Sequence, residues 1–163
     1  MPHLDAAYRF ARWLAGAASD ADDLVQEAML RAFRAFDGLR GTDARAWLLA
    51  IVRNCHFTAL QQRRGTVPLG AEHLETAAAT EGDPESESLA RDEQRLCARL
   101  LAALATEHRE VLLLREVEDM SYLEIATVTQ LPIGTVMSRL ARARAALREQ
   151  WLAEEQGGSR AVR

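Results

Sequence analysis

The sequence predicts an all-α fold: two small helical domains joined by a flexible acidic linker, the C-terminal one carrying a helix-turn-helix. Three observations lead to it. Apolar residues recur at helical spacing, and no stretch alternates with period two for long enough to make a convincing strand. Charge is unevenly spread: residues 1–65 hold nine Arg against seven acids, residues 66–95 two against eight, and residues 96–163 nine against nine. The middle block also collects Gly, Pro, Ser, Thr and Glu, the composition of a solvated tether. Finally, a short capped helix, a tight turn and an arginine-rich helix follow one another near the C-terminus. The expected boundaries are 1–65 for the first domain and 66–95 for a linker running into the next helix. The second domain is expected over 96–156, with a disordered tail over 157–163.

The elements follow from their start and stop signals. The first helix is LDAAYRFARWLAG, with Gly16 near its end. In SDADDLVQEAMLRAFRAF, Ser19 or Asp20 is placed to cap the next helix, and Asp22 and Asp23 sit where its dipole favours negative charge. That helix should reach about Phe36 before the turn-rich DGLRGT. Thr42 or Asp43 then caps ARAWLLAIVRNCHFTALQQRR. Asp83 followed by Pro84 reads as an N-cap with proline at the first helical position, opening a helix through ESESLARDEQRLCARLLAAL. Thr106 opens EHREVLLLREVE. Ser121 and Glu124 form a capping box ahead of YLEIATVTQ, and LPIG separates that helix from the basic one.

Bulk properties exclude several classes of function. No apolar run approaches the roughly 18 residues of a membrane span, and the N-terminal stretch carries an acid and two arginines where a signal peptide would be apolar. A cytoplasmic location without membrane insertion is expected. Cys55 and Cys97 are far apart and lack a second pair at metal-ligand spacing, so they read as buried structural thiols, with no metal and no cofactor implied. Cys55 and His56 are adjacent, but helical neighbours point about 100 degrees apart and do not face each other as nucleophile and base. With no Gly-rich phosphate loop or paired catalytic carboxylates, an enzyme is not indicated. All twenty basic residues are Arg, which with the heavy Ala usage reflects genome composition rather than chemistry.

Angular positions reveal what the basic helix is for. At about 100 degrees per residue, Val136, Leu140, Ala143 and Leu147 share one stripe, while Thr135, Ser138 and Arg142 fall opposite with Arg139 beside them. A helix with a core face and a polar, arginine-bearing face fits the major groove, where arginine pairs with phosphate or bidentately with guanine. The same strip taken alone would suit a solvated amphipathic helix. The capping box, the turn and the acid-free face together favour DNA.

The segment MSYLEIATVTQLPIGTVMSRLARARAALRE resembles the C-terminal DNA-binding region of extracytoplasmic-function (ECF) sigma factors of bacterial RNA polymerase, in the sigma-70 family. DADDLVQEAMLRAFRAFDGLRGTDARAWLLAIVRN resembles the N-terminal domain of the same family, and the two occur in the family's order. The resemblance implies a protein that binds core RNA polymerase and promoter DNA at the minus-10 and minus-35 elements, held in check by an anti-sigma factor.

That implication meets the residues as follows. On the second helix, Val25, Met29, Ala32, Phe33 and Phe36 share an apolar side expected to face the core. Opposite lie Asp23, Gln26, Glu27, Leu30 and Arg34, a charged face around one leucine, which matches the family's polymerase contact. The loop residues Leu39, Arg40, Gly41, Thr42 and Asp43 match the loop in which the family holds a flipped minus-10 base, and Asn54 matches the helix position facing it. Arg53, Arg63 and Arg64 would bind phosphates there, without regard to sequence. Trp47 lies between apolar neighbours and is expected in the core. For minus-35 recognition the positions are Thr135, Met137, Ser138, Arg139 and Arg142, where Met137 replaces the family's usual Lys or Arg. Gln61 and Gln62 also stand where the third helix commonly ends in basic residues. A stand-alone helix-turn-helix repressor is the rival reading, distinguished by tight duplex binding without polymerase. A pure protein-interaction module would leave the arginine face unexplained.

Overall fold

The structure, a computed structural model, describes residues 3–16, 18–36, 43–64 and 84–160 of the 163-residue chain. The described residues form seven α-helices and no strand: α1 (Leu4–Ala15), α2 (Ala18–Ala35), α3 (Ala44–Arg64), α4 (Pro84–Ala102), α5 (Thr106–Glu116), α6 (Tyr122–Thr129) and α7 (Ile133–Arg160). Most of the expected linker, residues 66–83, lies outside the described residues, as does Asp83, the expected cap of α4.

Helices α1, α2 and α3 pack on one another around Phe10, Leu14, Leu24, Leu49 and Val52. Gly16, at φ 82°, ends α1 in a conformation that costs a side-chain-bearing residue energy. Its N–H donates to the Arg12 carbonyl at 3.1 Å. Asp43 caps α3, its Oδ1 accepting from the Arg45 N–H at 2.9 Å. Helix α2 starts at Ala18, so Ser19 and Asp20 stand inside its first turn rather than capping it.

In the C-terminal half, α5 and α6 pack with α7 around Val111, Leu114, Ile125, Val128, Val136 and Leu140. The capping box is present in full. Glu124 N–H donates to Ser121 Oγ at 3.3 Å, and Ser121 N–H to Glu124 Oε2 at 2.7 Å. Gln130, in left-handed conformation at φ 57°, ends α6 and turns the chain toward α7. Helix α7 begins at Ile133, so Ile133 and Gly134 belong to it and not to the turn, and the Pro132 carbonyl accepts from Thr135 and Val136 N–H. It continues to Arg160, where the sequence predicts a disordered tail from 157.

Composition gives no hint that the two helical groups touch, yet they do. Helix α3 packs along α6, α1 meets α5, and the buried apolar residues of both halves join one cluster.

Candidate functional site

The basic helix presents the two faces its spacing predicts. Val136, Leu140 and Ala143 are buried, and Leu147 packs partly against them. Ser138 and Arg142 are exposed, while Thr135 and Arg139 are half-buried beside them. Met137 is 52% exposed, an apolar side chain in the middle of this polar face. Ser138 Oγ donates to the Thr135 carbonyl at 3.0 Å, which satisfies the hydroxyl locally. The arginines are not equivalent: Arg144, on the flank, makes two hydrogen bonds to Glu116 Oε1, the shorter 2.7 Å.

Helix α2 departs from the expectation. Val25 and Ala32 are buried and Met29 partly so, but Phe33 is 79% and Phe36 62% exposed. The helix instead turns the small residues Ala21, Ala28 and Ala32 into the core together with Leu24 and Val25. Alanines let α1 and α3 approach closely, so the buried stripe is centred nearer Ala28 than the two phenylalanines suggest. Leu30, Phe33 and Phe36 are spaced three apart and form an exposed apolar ridge, with Leu30 itself 53% exposed. Asp23, Gln26, Glu27 and Arg34 are exposed around it, and Glu27 is paired with Arg31 at 2.7 Å. Sequence reasoning found the leucine and missed the two phenylalanines, because aromatic residues are ordinarily core.

Of the loop positions, Leu39, Arg40, Gly41 and Thr42 lie outside the described residues, and Asp43 is exposed at the start of α3. Asn54 is exposed on α3. Arg53 beside it is engaged: its guanidinium pairs with Glu110 and lies 4.7 Å from the centre of the Phe57 ring. Arg63 pairs with Asp20 at 3.1 Å. Arg64 closes α3, and its side chain lies outside the described residues. Trp47 packs against the core as expected.

Cys55 and His56 are both buried on α3. Burial pushes the Cys55 thiol upward, so it stays protonated. Burial, then the charges of Arg109 and Arg63, lowers His56 to about 4, so its imidazole is neutral near pH 7. Cys97, expected to be buried, is exposed on α4. Among the described residues no group of three His, Cys, Asp or Glu could hold a metal ion, and no helix is long and apolar enough to cross a membrane.

Comparison with known proteins places both halves in one family. Residues 1–66 match the Sigma-70 region 2 family and residues 95–147 the Sigma-70, region 4 family. The ECF RNA polymerase sigma-E factor of Escherichia coli (strain K12) is 35% identical over 137 residues, covering 78% of this chain and 72% of that protein. The ECF RNA polymerase sigma factor SigE of Mycolicibacterium smegmatis is 35% identical over 150 residues, covering 90% of this chain and 58% of that one. Among solved structures, the sigma factor RpoE from Bartonella quintana, in complex with the anti-sigma factor NepR, superposes with a TM-score of 0.74 at 27% identity, over 92% of each chain. CnrH in complex with the cytosolic domain of CnrY gives a TM-score of 0.69 at 29% identity, over 93% of this chain and 84% of that one. Two sigma regions in the family's order, and identity that runs across both, mean that the chain belongs to the ECF sigma factors of bacterial RNA polymerase.

Proposed function

We propose that this sigma factor binds core RNA polymerase through the exposed face of α2, the minus-10 element through the start and middle of α3, and the minus-35 element through the polar face of α7. The α2 ridge of Leu30, Phe33 and Phe36, ringed by Asp23, Gln26, Glu27 and Arg34, is the observation that carries the reading. An apolar centre with a charged rim is the anatomy of a partner interface, and a stand-alone repressor has no use for one here. On α7, Arg142, Ser138 and Thr135 would meet base edges or phosphates, Arg139 a phosphate, and Met137 a thymine methyl or sugar. On the N-terminal side, Asn54, Asp43 and the loop 39–42 would hold the opened minus-10 strand, with Arg53, Arg63 and Arg64 on its backbone.

The division into a first domain over 1–65, a linker over 66–95 and a second domain over 96–156 belongs to the same reading. So does an anti-sigma factor as regulator, since RpoE was solved with one. The chain would work in the cytoplasm and carry out no chemistry itself, consistent with a protonated Cys55 and a neutral His56. The test is promoter-specific transcription with core polymerase, with and without the chain. Stimulated initiation together with weak binding to duplex DNA alone is expected. Tight sequence-specific duplex binding without polymerase, and no stimulation, would establish the repressor instead.

A further inference from the structure

Among the described residues, three ion pairs join the two halves of the molecule with the arginine on the N-terminal side. Arg9, Arg45 and Arg53 come from α1 and α3, and the carboxylates come from α5 and the turn after it. Arg9 Nε and Nη2 donate to Glu118 Oε1 and Oε2 at 3.1 and 3.0 Å, a bidentate fork. Arg45 Nη2 donates to Glu118 Oε2 at 2.9 Å and also holds the Glu118 carbonyl. Arg53 pairs with Glu110. Both glutamate side chains are fully buried, whereas Arg9 keeps half of its side chain in solvent and Arg45 and Arg53 lie between.

We infer that Arg9, Arg45 and Arg53 form one polyanion-binding face on the N-terminal domain, which takes the phosphate backbone of promoter DNA and which Glu110 and Glu118 of the C-terminal domain occupy in this closed arrangement. The inference rests on the sigma-factor reading and adds Arg9 and Arg45 to its DNA contacts.

A guanidinium meets carboxylate and phosphate with the same fork geometry, so a face that grips two carboxylates is built to grip phosphates. Arg45 and Arg53 are eight residues apart on α3, about 12 Å along the axis, the length of three to four phosphates on one strand of a duplex. Arg45 stands next to Asp43 and Arg53 next to the exposed Asn54, so the face borders the residues proposed to hold the minus-10 strand. Helix α6 lies along α3, so DNA cannot reach Arg53 until the C-terminal domain moves away.

Energetics make the exchange feasible. Burying a carboxylate costs several kcal/mol that its arginine only roughly returns, so such pairs hold a specific geometry more than they stabilise it. On opening, the glutamates regain water and the arginines gain phosphates. DNA and the C-terminal domain then compete for one face, and a change that weakens the closed form while leaving the arginines intact strengthens DNA binding, by the same factor as long as the open form is the minor one.

The experiment uses the full chain in two readouts: radius of gyration by small-angle scattering, and anisotropy of a labelled single-stranded oligonucleotide across a salt series. Glu110→Gln with Glu118→Gln should enlarge the radius and tighten oligonucleotide binding about tenfold. Arg9→Ala with Arg45→Ala should also enlarge it, but should weaken binding and lower the logarithmic salt slope by about 1.4 for two lost phosphate contacts. Should the glutamine pair disturb folding by circular dichroism, Glu118→Gln alone carries the same expectation in smaller measure. A glutamine variant that stays compact with unchanged binding overturns the proposal, as does one that opens without binding more tightly, or an alanine pair with an unchanged salt slope. Transcription by the unaltered chain with core polymerase tests the sigma reading separately, because neither readout here contains polymerase.

Discussion

Phe33→Ala separates the two positions available to an aromatic residue on α2. An aromatic side chain offers about 150–250 Å² for burial, and 79% exposure leaves about 120–200 Å² for a partner to cover. At about 25 cal/mol per Å² that surface is worth about 3–5 kcal/mol, from which ordering the side chain subtracts about 0.5–1.5. The variant should therefore bind core polymerase about 2–4 kcal/mol more weakly, a loss of thirtyfold or more. Its fold should hardly change, because a substitution at an exposed position stays within about 0.5 kcal/mol, or about 2 °C in Tm. Had Phe33 been core, truncation would cost about 3–5 kcal/mol and lower Tm by roughly 10 °C. The assay is competition for core polymerase against a labelled copy of the unaltered chain, with a thermal melt beside it. A large fall in Tm would refute the assignment of faces, and an unchanged Tm with unchanged affinity would refute the interface.

Further outcomes follow from the same geometry. Leu30→Asp should abolish polymerase binding while leaving circular dichroism unchanged, since it places a charge at the centre of the ridge at a cost of at least about 2 kcal/mol on association. Arg142→Ala should weaken minus-35-dependent transcription by about 1–3 kcal/mol if it reads a base, whereas Arg144→Ala, which loses exposed contacts with Glu116 and Tyr122, should matter far less. The reverse order would mean that α7 is rotated on the DNA. Ser121→Ala should cost about 1 kcal/mol, measured by urea denaturation, because it removes the cap of α6. His56 holds its proton more weakly in the folded chain, at about 4, than the ordinary 6.5 of the unfolded one. Stability is thus complete above pH 6.5 and falls as pH drops toward 4, by about 3 kcal/mol from this group. His56→Leu should flatten that part of the denaturation profile, and an unchanged slope would assign it to other groups.

Signals that act within a few residues were legible without coordinates. The Ser121–Glu124 capping box, the stop at Gly16, the Asp43 cap and the start of α4 at Pro84 are local hydrogen-bond or backbone matters, and each is found where the spacing predicts it. The α7 stripe was equally clear, because leucine and valine mark its core side without competition from another face. On α2 the reading failed at Phe33 and Phe36. Two apolar faces compete there, and hydropathy alone cannot tell an aromatic residue that is buried from one kept for a partner. Cys97 fails for the same reason, a small apolar residue that the packing of its helix leaves outside.

By itself, then, the sequence determined the helical class, most helix ends, the core and polar sides of α7 and the family, because these depend on short-range spacing and on motifs read in order. Only the tertiary structure decided which residues α2 presents, and that Arg53 is already held by Glu110 while Arg9 and Arg45 share Glu118. These pairs lie 57, 73 and 109 residues apart in the chain. An arginine is charged and mobile wherever it stands, so which acid it meets is set by how distant helices pack and not by anything in its own neighbourhood.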